Sequence, residues 1–499
     1  MKGHLLFNHT SFCYKYNNFP PTAQNINALK QEFLLTRFFL MAMSSKNDFV
    51  FQVRRCQPEL VAPAKPTPYV FKQLSDIDDQ QGFRFQVPMI FFYPHNPGAD
   101  GRDPVDVIRK ALAETLVFYY PFAGRLREGP GRKLFVECTG EGVLFIEADA
   151  DATLEQFGDA IYPPFACLED VLYNVPNSDG IIDCPLCLFQ VTRLKCGGFI
   201  LAIRLNHTMA DAFGMFQFMN AVAEIARGSV APSILPVWQR ALLIARDPPT
   251  ITHNHHEYDQ VVDTEGIVVP LKDMAHRSAI FRPSDISGIR KTLPTHLHCC
   301  SSFDLITACL WRTRTKALQP DPNEEMRLLC AVNLRTKSKS LPLGYYGNAF
   351  SCPAALATAG DLCMNPLGYA VELVRKAKNE GTEEYMKSVA DLMVIKGRPN
   401  VTAVRSLAVS DVRKARMDEV DFGWGNAIFG GPAMGGAATV PGLTCFYMRF
   451  KNNKGEEGIV VPFSLPAPAM ERFVLELEDL FKMIPTNEAK NSYTCQKQT

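Results

Sequence analysis

The sequence predicts a mixed α/β fold built in two halves. Strand-like and helix-like stretches alternate through most of the chain, as in domains that pack helices against a sheet. A long polar connection with many prolines, residues 229–270, separates two parts of about 200 residues each, an ordinary size for one domain. The chain has 499 residues, of which 47% are hydrophobic, so both parts can bury a core. We therefore expect an N-terminal domain at residues 49–228 and a C-terminal domain at residues 271–485.

The two ends of the chain differ from this pattern. Residues 1–48 are polar and turn-rich before a short apolar stretch that Arg37 interrupts. The stretch begins late and carries charge, so it fits a secretory signal poorly. We predict an N-terminal extension without stable structure, either a disordered tail or an upstream extension of a working chain that starts at Met41 or Met43. Residues 486–499 are predicted to form a C-terminal tail.

Hydrophobic patterning places the elements of the N-terminal half. Residues 49–53 and 87–93 are apolar and aromatic enough for strands. Residues 103–116 have helical spacing, with a proline in the first turn and the apolar side chains on one side. Two apolar runs, residues 186–194 and 199–205, are joined by a turn with two glycines, which predicts a β-hairpin.

The remaining elements follow the same rules. A helix should precede Gly228, which favours the position just past a helix end. The glycine-rich residues 430–436 are interpreted as a flexible turn. A helix is predicted at residues 212–227, and helix and strand signals resume at residues 303–315 and 326–332. A second hairpin is predicted at residues 444–451 and 458–464, followed by a helix at residues 469–481.

Composition excludes several classes of protein. The chain has 52 basic residues (Lys and Arg) and 52 acidic residues (Asp and Glu), so its formal net charge is zero. A general nucleic-acid-binding protein needs a strongly basic face instead. No apolar run reaches the roughly 18 residues that a membrane-spanning helix requires. The fifteen cysteines lack the spacing of a disulfide framework and indicate buried thiols in a reducing compartment. We therefore expect a cytoplasmic protein with no nucleic-acid partner and no membrane span.

The strongest candidate for chemistry is His207, which begins a His-x-x-x-Asp segment ending at Asp211. It lies where one predicted strand ends and a predicted helix begins, so rigid elements would hold the imidazole at a turn. The pKa of histidine, about 6.5 in isolation, suits removal of a proton from an alcohol at neutral pH. Asp211 can either orient the ring or brace the loop through an arginine. The spacing alone does not distinguish these roles from a buried histidine bound by backbone.

A second pair with the same spacing, His255 and Asp259, lies in the polar connection with no strand before it. We therefore predict no function for it. With His253, His256 and Glu257, His255 could bind a surface metal, but a solvated loop is the preferred interpretation and we expect no metal.

Three other motifs do not support an alternative enzyme class. Cys184 and Cys187 form a CxxC, but no second pair stands at zinc-site spacing, so we interpret them as buried thiols. The chain contains neither the Gly-x-Ser-x-Gly of serine hydrolases nor a Walker A sequence.

The pentapeptide at residues 421–425, Asp-Phe-Gly-Trp-Gly, is far more specific than the histidine segment. Together the two motifs resemble the BAHD family, the plant acyl-CoA-dependent acyltransferases. The likeness runs from Phe49 to Phe481. Within the family the chain is most similar to alcohol acyltransferases of the benzyl alcohol benzoyltransferase type. Residues 74–76, 120–126 and 346–348 also carry the family likeness, and residues 58–63 and 393–397 carry the narrower one.

The resemblance implies two chloramphenicol-acetyltransferase-like domains with a solvent channel at their interface and His207 midway along it. It implies that His207 deprotonates an alcohol for attack on a CoA thioester, with no covalent enzyme intermediate. The implied partners are acyl-CoA, as a co-substrate rather than a permanently bound cofactor, and a small alcohol, and the implied state is a monomer. Two alternatives stay open, an amine or phenolic acceptor and a non-catalytic ligand-binding protein, although the intact motifs disfavour the second.

The roles of three supporting residues also stay open at this stage. The family pattern places Asp421 beside the histidine as a catalytic candidate, but an aspartate in this context readily makes a turn and an ion pair, which we favour. Arg335 is a candidate partner for either Asp211 or Asp421. Trp424 either lines the channel or packs in the core. No motif marks the groups that contact CoA.

Overall fold

The computed structural model describes residues 51–99, 101–158, 160–165, 168–261, 273–436 and 442–482. The predicted extension at residues 1–48, its alternative starts at Met41 and Met43, and the tail at residues 486–499 lie outside these ranges. No helix in the described ranges is both long and apolar enough to span a membrane.

The strands and helices of the described ranges alternate along the chain. The strands, in chain order, are β1 Val53–Arg55, β2 Glu59–Val61, β3 Phe71–Gln73, β4 Gln86–Tyr93, β5 Arg125–Glu128, β6 Leu134–Glu137, β7 Val143–Ala150, β8 Cys187–Leu194, β9 Phe199–Asn206, β10 Met274–Phe281, β11 Glu325–Cys330, β12 Val332–Asn333, β13 Phe350–Ser351, β14 Ala354–Thr358, β15 Ser406–Asp411, β16 Phe429–Pro432, β17 Thr444–Lys451 and β18 Glu457–Pro466. The helices are α1 Pro104–Phe118, α2 Leu168–Val171, α3 Ala212–Ala226, α4 Pro283–Lys291, α5 Ser302–Leu318, α6 Ala359–Met364, α7 Leu367–Glu380, α8 Glu383–Ile395 and α9 Ala467–Lys482.

Two large mixed sheets organise these elements. The seven-stranded sheet has the order β1-β7-β8-β9-β4-β16, with β2 also paired to β7. The six-stranded sheet has the order β10-β18-β17-β15-β11-β14, and two smaller sheets, β3-β6-β5 and β12-β13, complete the set. Both large sheets contain parallel and antiparallel neighbours, so the predicted mixed α/β class is confirmed.

The predicted helix at residues 103–116 is confirmed as α1. Asp103 caps it by accepting a hydrogen bond from the Val105 amide, and Pro104 occupies the first turn, where no amide donor is needed. The buried face includes Val105, Ile108, Leu112 and Leu116. This face packs against α3 and the seven-stranded sheet in one hydrophobic core.

The predicted hairpins are also confirmed. β8 and β9 pair antiparallel from Cys187 opposite Leu205 to Arg193 opposite Phe199, and β17 pairs with β18 in the same way. Hydrophobic residues fill both faces of β9, as expected of a strand that lies inside a sheet between β8 and β4. The end of β9 at Asn206 is therefore fixed by neighbours on both sides.

Three sequence interpretations are wrong. In the strand predicted at residues 49–53, residues 51 and 52 are not in a strand and β1 begins only at Val53, whereas residues 49 and 50 lie outside the described ranges. Part of the glycine-rich segment 430–436 is strand β16, which pairs antiparallel with β4 at the edge of the seven-stranded sheet. Gly430 permits this because a Cβ there would stand 2.8 Å from the Phe91 ring and 2.9 Å from the Met417 carbonyl oxygen. The strand therefore needs a glycine at this position so that Phe91 and Met417 can lie close to its backbone. In the sequence alone, a glycine-rich segment of this kind also fits a flexible turn, so the strand was not predicted.

The third error concerns the polar connection, which is not a solvated loop throughout. His255 and Glu257 are buried, and the imidazole contacts the Glu257 carboxylate at 3.1 Å and the Ser388 hydroxyl at 2.8 Å. Tyr385 donates to the same carboxylate. Mutual hydrogen bonding allows these polar groups to be buried at low cost, which the local sequence could not reveal.

Candidate active site

His207 lies immediately after β9, at the start of a turn that leads into α3. Its backbone amide donates to the carbonyl of Phe85 at 2.9 Å, which ties the turn to the start of β4. The Asn206 side chain accepts from the amide and the hydroxyl of Thr208 at 3.1 and 2.8 Å, and its carbonyl accepts from the Met209 amide at 3.0 Å. The turn is thus closed by local hydrogen bonds before the helix begins.

Aromatic rings surround the imidazole of His207. Phe83 stacks on it with 4.8 Å between ring centroids and an interplanar angle of 13°, and Phe85 lies at 5.4 Å. Phe350, from the C-terminal part of the chain, lies at 6.2 Å. His207 and these three phenylalanines are all partly exposed, so the ring stands in an apolar but accessible environment formed from both parts of the chain.

The Nδ1 atom of His207 is buried and makes no hydrogen bond with any described residue. The fully buried Asn348 lies beside it: its side-chain amide donates to the His207 carbonyl at 2.8 Å. The side-chain oxygen of Asn348 is also buried without a hydrogen-bond partner in the described ranges. Nδ1 therefore faces the protein interior and the opposite edge of the ring is the one available for chemistry.

The surroundings keep the imidazole neutral. Burial lowers the pKa of His207 below its usual value, because the protonated ring loses hydration. Its own backbone, the charges of Asp211 and Asp78 and the Asn348 side chain oppose this effect without cancelling it. A neutral ring at neutral pH can accept a proton, as a general base must.

Asp211 caps α3 and binds an arginine. Its Oδ1 atom accepts from the amides of Phe213 and Gly214 at 3.1 and 2.9 Å. Its Oδ2 atom accepts from Arg335 Nη1 at 2.7 Å and from the Ala349 amide at 3.0 Å. Burial opposes ionisation of this carboxyl, but Arg335 and the amides outweigh it and hold the pKa of Asp211 below its usual value.

Asp421 shares no hydrogen bond with His207 or Arg335 among the described residues. Its Oδ1 atom accepts from the amides of Gly423 and Gly425, each at 2.7 Å. Both glycines have positive φ angles, +103° and +88°, so the carboxylate closes a turn that other residue types would strain. Arg227, at the end of α3, donates to the Asp421 backbone carbonyl.

Trp424 packs in the core beside that turn. It is buried, meets the Phe199 ring edge-to-face at 5.4 Å, and is covered by the guanidinium of Arg102 at 4.9 Å. The structure thus brings together His207, Asp211 and Arg335, and it groups Asp421 and Trp424 in a second cluster at the other end of α3 and β9.

Cysteine and metal chemistry find little support in the described ranges. No group of three or more His, Cys, Asp and Glu side chains there is arranged to hold a metal ion. Every cysteine in those ranges is a free thiol. Cys187 is buried at the start of β8, and burial raises the pKa of its thiol, which opposes reactivity.

The fold has known counterparts among solved structures. Vinorine synthase matches with a TM-score of 0.67 at 20% identity, covering 86% of this chain and 98% of that protein. F. graminearum TRI101, solved with coenzyme A and deoxynivalenol, matches with a TM-score of 0.60 at 16% identity, covering 81% and 96%. These similarities show that the chain shares its overall fold with those two proteins.

Sequence comparison then places the chain within one class of enzyme, the acyltransferases. The profile described as the Transferase family matches residues 51–480. Benzyl alcohol O-benzoyltransferases are 61% identical in Petunia hybrida and 62% identical in Nicotiana tabacum, each covering 89% of this chain and 96% of the relative. Alcohol acyl transferase 1 allele RGb of Malus domestica is 56% identical over 86% of this chain and 95% of its own length. The chain belongs to this transferase family, known as BAHD, and the resemblance stated above is confirmed.

Sequence reasoning missed several residues that shape the site. It gave no role to Phe83, Phe85 or Phe350, because phenylalanines that line a site look like those of a core. It recognised the Tyr-Gly-Asn stretch only as a family likeness and did not place Asn348 against His207. The one sequence signal for these residues is the unusual run Phe83-Arg84-Phe85 before β4, in which two aromatic side chains flank a charged one.

Proposed function

We propose that this protein transfers an acyl group from a CoA thioester to an alcohol and forms an ester, with His207 as the general base. The observation that carries the proposal is the partly exposed imidazole at a rigid strand-to-helix turn, with Nδ1 buried. Burial lowers its pKa, which favours the neutral form that a general base needs. The relatives named benzyl alcohol O-benzoyltransferase and alcohol acyl transferase support the choice of an alcohol acceptor.

In the proposed reaction, Nε2 of His207 removes the proton of the alcohol hydroxyl. The alkoxide oxygen attacks the thioester carbonyl, and the tetrahedral intermediate collapses with cleavage of the carbon–sulfur bond. The histidinium returns its proton to the departing CoA thiolate, so the products are an ester and free CoA. No covalent bond to the enzyme forms, and the CoA thioester acts as a co-substrate rather than a resident cofactor.

The proposal gives the other candidate residues supporting roles. Asp211 and Arg335 brace the start of α3, since both carboxylate oxygens of Asp211 are used away from the ring. Asp421 braces its own turn, and Trp424 packs against Phe199.

The proposal also extends to the surroundings of the site. A channel between the two parts of the chain would let acyl-CoA and a small alcohol reach His207 from opposite sides; Phe83 and Phe350 contribute from the two parts. A cytoplasmic location fits the free thiols of the described cysteines, and a monomer is the state that the family resemblance implies.

The decisive test is turnover by the purified full chain. Benzoyl-CoA or acetyl-CoA is offered with a panel of alcohols, amines and phenols, free thiol release is followed, and products are identified by mass. Ester formation with alcohols, abolished in His207→Ala, supports the proposal. Preference for amines or phenols would change the acceptor class, and no thiol release with any acceptor would favour a ligand-binding protein.

A further inference from the structure

A buried ion pair next to the histidine turn has no part in the chemistry described so far. Asp78 lies between β3 and β4, and Arg240 lies in the connection that follows α3. Arg240 Nη1 is 3.1 and 3.2 Å from the two carboxylate oxygens of Asp78. The two side chains are 1% and 0% exposed, so neither charge is screened by solvent.

This pair holds the histidine turn at two points. Arg240 uses its second nitrogen, Nη2, to donate to the Met209 carbonyl at 2.8 Å. Asp78 Oδ1 accepts from both the backbone amide and the side-chain amide of Asn348, each at 2.9 Å. Asn348 in turn donates to the His207 carbonyl at 2.8 Å. The ion pair therefore restrains two carbonyl groups of the turn that carries the imidazole.

The surrounding residues are shaped around the guanidinium. Gly347 leaves the space it needs, since a Cβ there would stand 1.2 Å from Nη1. The rings of Trp238, Tyr345 and Tyr346 lie 4.6, 5.3 and 4.9 Å from the guanidinium carbon. Only a planar fork can stack here and still donate to two separate acceptors, which a lysine ammonium cannot do.

We propose that the Asp78–Arg240 pair is a positioning device that fixes the backbone of the His207 turn and so aims the imidazole at the reacting hydroxyl. This inference rests on the proposed function. Ion pairs this deeply buried contribute little net stability, because desolvation offsets their attraction, so stability alone gives a weak reason for one. Misplacement of a catalytic group by about 1 Å, in contrast, can cost about 100-fold in rate.

The test compares three variants, Asp78→Asn, Arg240→Met and Arg240→Lys, in steady-state kinetics of the full chain. Each should lower kcat/KM by roughly 10- to 100-fold, mainly through kcat, because the turn loses one of its restraints. Arg240→Lys keeps the charge but not the fork, so its kcat should remain low. Normal kcat in all folded variants would overturn the proposal.

A pH profile separates positioning from general damage to the fold. Asp78 and Asp211 act on the His207 ring, and each is paired to an arginine, Arg240 and Arg335 respectively. In Asp78→Asn a favourable negative charge is lost, so the acid limb of kcat/KM should move to lower pH. In Arg240→Met a positive charge is lost, while Asp78 retains its four hydrogen bonds from Ser75 and Asn348, so the limb should move to higher pH. Shifts of the same sign would contradict the proposal.

The matched control is Asp391→Asn. Asp391 is also fully buried and binds Arg246 of the same connection, with 2.6 Å between Nε and Oδ2, but it does not contact the histidine turn. It should lower the melting temperature and leave kcat unchanged. An equal loss of kcat in this control would show that weakening any ion pair of the connection lowers turnover. That result would overturn the inference. If the wild-type chain releases no thiol, the proposed function fails instead, which is a different outcome.

Discussion

Arg335 and Asp211 form an ion pair between segments 124 residues apart, with 2.7 Å between Nη1 and Oδ2. Arg335 also donates to the backbone carbonyls of Tyr345 and Gly347. The aspartate four residues after the histidine is therefore bound by the C-terminal part of the chain and shares no hydrogen bond with the imidazole in the described ranges. Its geometry fits a brace at the start of α3, where it also caps the helix.

The first prediction concerns this pair. Asp211→Asn should lower the free energy of unfolding by roughly 2 kcal/mol, because the charged hydrogen bond to Arg335 is lost while the asparagine still caps α3. The pKa of Asp211 is lowered in the folded state, so its contribution is present above the ordinary pKa near 4 and is lost as the pH falls through the lowered value. The difference from wild type in urea unfolding should therefore shrink in acid. A constant difference down to pH 2 would contradict the ion pair.

The second prediction concerns the base itself. His207→Ala should reduce kcat by roughly 10²- to 10⁴-fold, the usual contribution of general-base catalysis, with little change in melting temperature. His255 offers a matched control, because it also precedes an aspartate by four residues. Both of its ring nitrogens are within hydrogen-bond distance of buried side chains, those of Glu257 and Ser388. His255→Ala should lower the melting temperature and retain turnover. Comparable kcat in wild type and His207→Ala would remove His207 from the mechanism.

The third prediction is the pH dependence of the wild-type enzyme. Burial lowers the pKa of His207, and the neutral ring is the active form. Activity should therefore persist below pH 6.5, the ordinary value for histidine, and fall only as the pH drops through the lowered pKa. Initial rates of thiol release at saturating and limiting alcohol would locate this limb in kcat and kcat/KM. An acid limb above pH 6.5 would show that the surroundings favour the protonated ring.

The elements with a strong local pattern could be predicted from sequence. α1 has a capping aspartate, an N-terminal proline and one apolar face, and the β8–β9 hairpin has two apolar runs around a glycine turn. Such signals lie within one segment, so they survive without knowledge of the fold. The position of His207 followed from the end of this hairpin at Asn206 and from the helical spacing of the residues that form α3.

What could not be predicted depends on contacts between distant segments. The sequence left Arg335 with two possible partners, and only the folded chain places it at Asp211. β16 pairs with a strand more than 300 residues earlier, and its glycines indicate close packing only when Phe91 is seen beside them. The buried Asp78–Arg240 pair joins residues 162 apart, and no local pattern distinguishes those two residues from surface charges.

The last prediction addresses Asp421, whose role the sequence left open between proton transfer and bracing. Its Oδ1 atom accepts two backbone hydrogen bonds within its own turn, and an asparagine oxygen can accept the same bonds, whereas alanine cannot. Asp421→Ala should therefore lower the free energy of unfolding by roughly 1–3 kcal/mol and Asp421→Asn by less, with both variants turning over well below their melting temperatures. Melting curves and kcat measured on the same preparations check this order. Loss of kcat in Asp421→Asn at an unchanged melting temperature would instead assign Asp421 to the chemistry, because the turn would be intact and only the charge missing.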